Sequence, residues 1–123
     1  MKRLLVTLAC MFSFLTLQAA DITAITNAFK EGNAAALASL MDKEVDLTLP
    51  EVSKKYDGTE VIKLLNTFFQ SNKPSGFTLL HHADRNDSGF FVGKLLTNGK
   101  EFRVNVTYRA EGDKAIIQSV RVE

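Results

Sequence analysis

Residues 21–123 read as an α+β domain, a mainly antiparallel sheet resting on three N-terminal helices in the order α-α-β-α-β-β-β-β. Three observations predict this. Apolar residues recur at helical spacing in three stretches up to Phe69, they alternate at period two from Phe77 onward, and Asn98-Gly99 separates two of the alternating runs. Helices followed by a run of strands segregate to one face of an antiparallel sheet.

The elements follow in order. Ile22, Ile25, Ala28 and Phe29 share one helical face behind Asp21, an N-cap residue type, and Gly32 breaks the helix. Asn33 is placed to cap a second helix with Leu37, Leu40 and Met41 on its stripe. Val45, Leu47 and Leu49 alternate with Glu44, Asp46 and Thr48, a half-buried strand that Pro50 stops. Asp57-Gly58-Thr59-Glu60 has the form of a capping box opening a helix with Val61, Leu64, Leu65, Phe68 and Phe69 on one stripe. Asn72, Pro74 and Gly76 end it. Strands then follow at 77–83, 89–97, 100–109 and 114–122.

Asn-Gly tolerates the positive φ angles of a two-residue hairpin loop, which fixes the register. Thr97 then faces Lys100, Leu95 faces Phe102, Gly93 faces Val104 and Phe91 faces Val106. Opposed residues share a face. Phe91, Gly93, Leu95, Phe102, Val104, Val106 and Tyr108 therefore point to the core. Phe90 with Thr107, Val92 with Asn105, Lys94 with Arg103 and Leu96 with Glu101 point away from it. The same polarity puts Phe77, Leu79 and His81 inward and His82 outward. Ile117 and Val120 are an odd number apart, which implies a bulge near Gln118-Ser119.

Residues 1–20 have a leader's three parts: basic Lys2-Arg3, an apolar run from Leu4 to Leu17, and Gln18-Ala19-Ala20. The run falls short of the roughly 18 apolar residues that span a bilayer. The expected product starts near Asp21 and is exported, periplasmic or secreted. Leu8-Ala9-Cys10 offers a competing reading as a lipid attachment site at Cys10, against which Thr7 and the apolar residues after Cys10 both count.

The chain holds 15 Lys and Arg against 14 Asp and Glu, without a basic cluster, so a nucleic-acid partner is not expected. Cys10 is the single cysteine, which leaves residues 21–123 without a disulfide or a thiolate. Adjacent strand residues point to opposite faces, so His81 and His82 cannot share a metal. No phosphate loop or Ser–His–Asp arrangement is present, and neither a metal nor a cofactor is expected.

The order of elements, with Asn33 to Leu40, Tyr56, Phe68-Phe69, Phe77, His81, Gly93 with Leu95, Asn98-Gly99 and Ile117 with Val120-Arg121-Val122, resembles the nuclear-transport-factor-two-like superfamily, the cystatin-like cone. Within it the chain is most similar to an uncharacterised exported bacterial branch, a domain of unknown function. The resemblance implies a strongly bent sheet wrapped around the helices, with a pocket between the sheet and the long helix. The pocket lining is then Tyr56, Leu65, Phe68, Phe69, Phe77, His81, Phe91, Phe102 and Tyr108.

Superfamily members include isomerase-like and dehydratase-like enzymes as well as binding and dimerisation modules. The isomerase type needs a carboxylate base facing the pocket. Asp46 falls on the polar side of its strand, and Asp84 and Asp87 fall in a turn. The expectation is therefore a non-enzymatic module for a small apolar ligand or a protein partner. The alternative is a small isomerase or dehydratase using His81 as acid–base group and Tyr108 as donor. Phe90, Val92 and Leu96, with Asn105 and Thr107, make an apolar patch on the outer sheet face, expected to form a homodimer or meet another protein.

Overall fold

A computed structural model describes residues 22–84, 87–111 and 114–123. The leader segment and Cys10 lie outside the described residues. Helix α1 covers 22–31, a 3-10 helix covers Ala34–Leu40, and α2 covers Gly58–Ser71. The strands are β1 (Met41–Leu49), β2 (Val52–Asp57), β3 (Pro74–Asp84), β4 (Ser88–Thr97), β5 (Lys100–Glu111) and β6 (Lys114–Val122). They form one curved sheet in the order β2-β1-β6-β5-β4-β3. All neighbours are antiparallel except β1 and β6, which run parallel. The α+β architecture with helices ahead of the sheet is as expected.

Local chemistry explains the element ends. The Asp57 carboxylate accepts from the Glu60 N–H at 2.8 Å and so caps α2. At the other end the Asn72 N–H and side-chain amide both donate to the Phe68 carbonyl, at 2.8 Å and 3.1 Å. Gly32 turns the chain at a φ of +68°, a backbone angle that suits glycine. The second helix differs from expectation in kind: it is a 3-10 helix, Asn33 makes no side-chain cap, and Met41 already belongs to β1. Strand β2 is an addition to the expected order. It pairs only with β1, and its lysines obscure the alternation of Val52 and Tyr56.

The β4–β5 hairpin has the register that Asn98-Gly99 dictates, from Thr97–Lys100 to Ser88–Arg109. Between β5 and β6, Thr107 pairs with Ser119 and Tyr108 with Ile117, so Gln118 is the extra residue of the expected bulge. A second bulge corrects the placement of the histidines. Leu79 pairs with Gly93 but His81 pairs with Val92, so Leu80 is unmatched and the phase of β3 flips. His81 consequently joins the outer face, and His82 and Asp84 join the face of Phe91 and Gly89.

The core is a continuous set of aromatic rings. Phe91 meets Phe77 at 6.3 Å between centroids, Phe77 stacks on Phe29 at 5.9 Å, and Phe29 meets Phe69 edge-on at 5.9 Å. Phe69 meets Phe68 at 5.9 Å, and Phe68 meets Phe102 at 5.2 Å. Gly93 makes this possible. A Cβ there would lie 2.7 Å from Phe77 Cε1 and closer still to Cζ, so the ring rests directly on bare backbone. Gly93→Ala should therefore overpack the core and lower stability by about 2–3 kcal/mol in urea unfolding. Adding Phe77→Leu should return part of that loss, because it shortens the side chain the new methyl strikes.

Candidate functional site

The expected pocket residues are divided by the structure among several places. Leu65, Phe69 and Phe91 are fully enclosed, and Phe77 is spent covering Gly93. Tyr56 sits half-buried on β2 with the Lys54 ammonium 5.8 Å from its ring centroid. Tyr108 is buried beside Gly89, and His81 packs against Phe90 on the outer face at 5.8 Å. The interior of the cone is thus filled by side chains around Phe29, Phe69, Phe77 and Phe91.

Phe68 and Phe102 do reach open space. They line a cavity of about 360 Å³ bounded by the β1–β2 turn, the C-terminal half of α2 and the start of β5. Leu49, Pro50 and Val52 form one apolar wall and Leu64 with Phe68 the other. Thr67, Ser71 and Asn72 contribute polar groups from α2, and Glu51 and Lys100 are its charged members. This size lies toward the small end of the roughly 300–1,000 Å³ that small-molecule sites occupy. Sequence reasoning missed most of this lining because it comes from the ends of three elements. The available signal was the width of the α2 stripe: Leu64 and Phe68 extend it beyond what Val61, Leu65 and Phe69 need to fill the core.

A polar cluster forms near the other end of the sheet's inner face. The Tyr108 hydroxyl donates to the Asp84 carboxylate, and His82 Nδ1 lies 3.9 Å from the second Asp84 oxygen. Gly89 leaves room for the contact, since a Cβ there would sit 2.7 Å from the Tyr108 hydroxyl oxygen and 2.8 Å from Asp84 Oδ1. Burial pushes the Tyr108 phenol well above its ordinary range, and the Asp84 carboxylate accepting its proton raises it further. The expected pairing of His81 with Tyr108 is not formed. The Leu80 bulge substitutes Asp84 and His82, both substantially exposed, at this position. Among the described residues no three His, Cys, Asp or Glu side chains gather as metal ligands.

The outer face carries the expected patch residues in the expected register. Phe90 and Leu96 are exposed, Val92 and Asn105 half-buried, and Thr107 exposed; Leu80, 54% exposed on the neighbouring strand, adds to the apolar surface. Lys94 stands opposite Arg103 and is answered by Glu101 at 3.7 Å. No described helix is long and apolar enough to cross a membrane.

The profile of a domain of unknown function, DUF4783, matches residues 22–123. A solved DUF4783 protein from Bacteroides uniformis is 32% identical, with a TM-score of 0.78 over 82% of this chain and 94% of its own. Another from Bacteroides fragilis is 33% identical, with a TM-score of 0.75 over 80% and 93%. A candidate dehydratase of the NTF2-like family from Streptomyces avermitilis is 12% identical, with a TM-score of 0.65 over 89% and 95%, a likeness of fold alone. No functionally curated protein matches the chain.

The Tyr108–Asp84 contact predicts a specific pH dependence. A phenol whose folded value is raised contributes stability that is complete below its unfolded value, 10.0, and is lost as the pH climbs through the folded one. Tyr108→Phe should cost about 1 kcal/mol at neutral pH. The wild-type advantage over Tyr108→Phe should shrink progressively above pH 10.0, as measured by denaturant unfolding at a series of pH values.

Proposed function

The chain belongs to the DUF4783 family, a domain of unknown function with the NTF2-like fold, and we propose that it is an exported, non-enzymatic binding module. Its ligand site is the groove at Phe68 and Phe102, and the outer sheet face at Phe90, Val92 and Leu96 is its association surface. One observation carries the reading: the cone interior is filled by aromatic side chains, while an apolar hollow remains open at its end. Burial of acid–base groups deep in a cone would favour an enzyme, and the core cluster here is aliphatic and aromatic, with the Asp84 carboxylate that meets Tyr108 substantially exposed. Export rests on the basic, apolar and small-residue order of residues 1–20.

The second reading, a small dehydratase-like enzyme, draws on the Tyr108–Asp84 contact with His82 beside it. A phenol donating to a carboxylate is a usable acid–base pair. The exposure of the carboxylate counts against this reading, because water competes for Asp84.

Capture of the apolar fluorophore Nile red tests the groove. Thr67→Trp, a substitution on the exposed side of α2, should fill the hollow and weaken capture by about tenfold or more, equivalent to about 1.4 kcal/mol. His82→Ala and Asp84→Asn should leave capture unchanged; a loss confined to those two variants would move the site to the polar cluster.

Intact mass of protein from native cells should show a chain beginning at or near Asp21 without lipid, and a lipidated Cys10 start would contradict it. Light scattering of the same protein over a concentration series should show a dimer that Val92→Glu dissociates. A monomer throughout, unchanged by the substitution, would remove self-association.

A further inference from the structure

Charge indicates what the groove selects. Its charged members are Glu51 in the β1–β2 turn and Lys100 at the first residue of β5. Neither side chain has an ion-pair or hydrogen-bond partner among the described residues. Nearby charges are matched by contrast: Lys94 pairs with Glu101 at 3.7 Å and Arg121 with Glu123 at 3.0 Å.

Between these two charges the surface is apolar, with Leu49, Val52, Leu64, Phe68 and Phe102. A ligand with a single charge would meet one end and leave the other unanswered or repelling. A zwitterion with an apolar body answers both. A short apolar peptide with both ends free is such a zwitterion. Asn72 spends its amide N–H on the Phe68 carbonyl, which leaves its side-chain oxygen to accept from a peptide N–H.

We propose that the groove binds a short apolar peptide by both free ends, its ammonium at Glu51 and its carboxylate at Lys100. The proposal rests on the groove being the ligand site. Apolar side chains of the peptide cover Phe68 and Phe102, and the two charges set its direction.

Calorimetric titration with leucyl-phenylalanine, its N-acetyl form, its C-terminal amide and the doubly capped form tests this. Each cap should weaken binding by about two- to fivefold, the effect of losing one solvent-accessible ion pair. Glu51→Gln should erase the penalty of acetylation and keep that of amidation, and Lys100→Gln should do the reverse. Equal affinity for free and doubly capped peptides would overturn the proposal while leaving the groove as an apolar site. Cap penalties that persist in both variants would overturn it too. Absence of binding by all four peptides, with Nile red still captured in a Thr67-dependent way, would remove the peptide and keep the groove. Failure of Nile red as well would remove both.

Discussion

The contact of the Phe77 ring with the bare backbone of Gly93 is the constraint on which the rest of the structure depends. With any side chain at Gly93 the ring could not come this close to β4, and Phe29 would lose the surface on which it stacks. From that point the rings run through Phe69 and Phe68 to Phe102, tying both α-helices to three strands. Aromatic burial on this scale supplies much of the stability of a domain with no cysteine after Cys10. It also decides where a ligand can go. Rings fill the centre, and the groove at Phe68 and Phe102 opens where the chain of rings ends.

How much of this the sequence carries depends on whether a local rule fixes the phase. Asn98-Gly99 sets a loop length, and one loop length sets ten cross-strand pairs, so the faces of β4 and β5 are legible down to Tyr108. The bulge at Gln118 is legible too, because Ile117 and Val120 are both apolar and out of step. Leu79-Leu80 gives no such sign. Two adjacent leucines satisfy either phase, so nothing in the pattern reports that Leu80 is unmatched and that His81 must turn outward. Strand β2 is hidden for a related reason: an edge strand needs little burial, and Val52-Ser53-Lys54-Lys55-Tyr56 presents few apolar residues.

The same bulge separates two kinds of chemistry. It carries Asp84 to the inner face, where Gly89 gives the Tyr108 hydroxyl access to its carboxylate. Gly89 and Gly93 thus do comparable jobs at two points on one strand, the first admitting a polar pair and the second an aromatic ring. Their separation means the polar pair and the apolar groove lie toward different ends of the sheet. Among the described residues the acid–base pair and the apolar groove are therefore not assembled in one place.

The proposed recognition in the groove requires that the β1–β2 turn be held while its tip stays open. The hairpin is fixed at its base. Arg109 Nε lies 3.3 Å from an Asp42 carboxylate oxygen and its Nη1 2.7 Å from Glu111, linking the start of β1 to β5 across β6. The hydrogen bond from Arg109 holds the Asp42 carboxyl below its ordinary value of 3.8, so this tie is complete above that value and yields only as the pH falls through the lower folded one. Gly58 adds to the anchoring: a Cβ there would sit 2.6 Å from the Asp42 carbonyl oxygen, so the N-terminus of α2 rests against the same point. The tip carries no comparable clamp. Pro50 and Glu51 project at the far end of two strands rooted at Asp42, and the only side-chain hydrogen bond near them among the described residues joins Thr48 to Ser53 at 3.1 Å. A rigid base with an open tip positions Glu51 without neutralising it, and an unneutralised carboxylate over an apolar floor is the arrangement from which a charged ligand gains affinity.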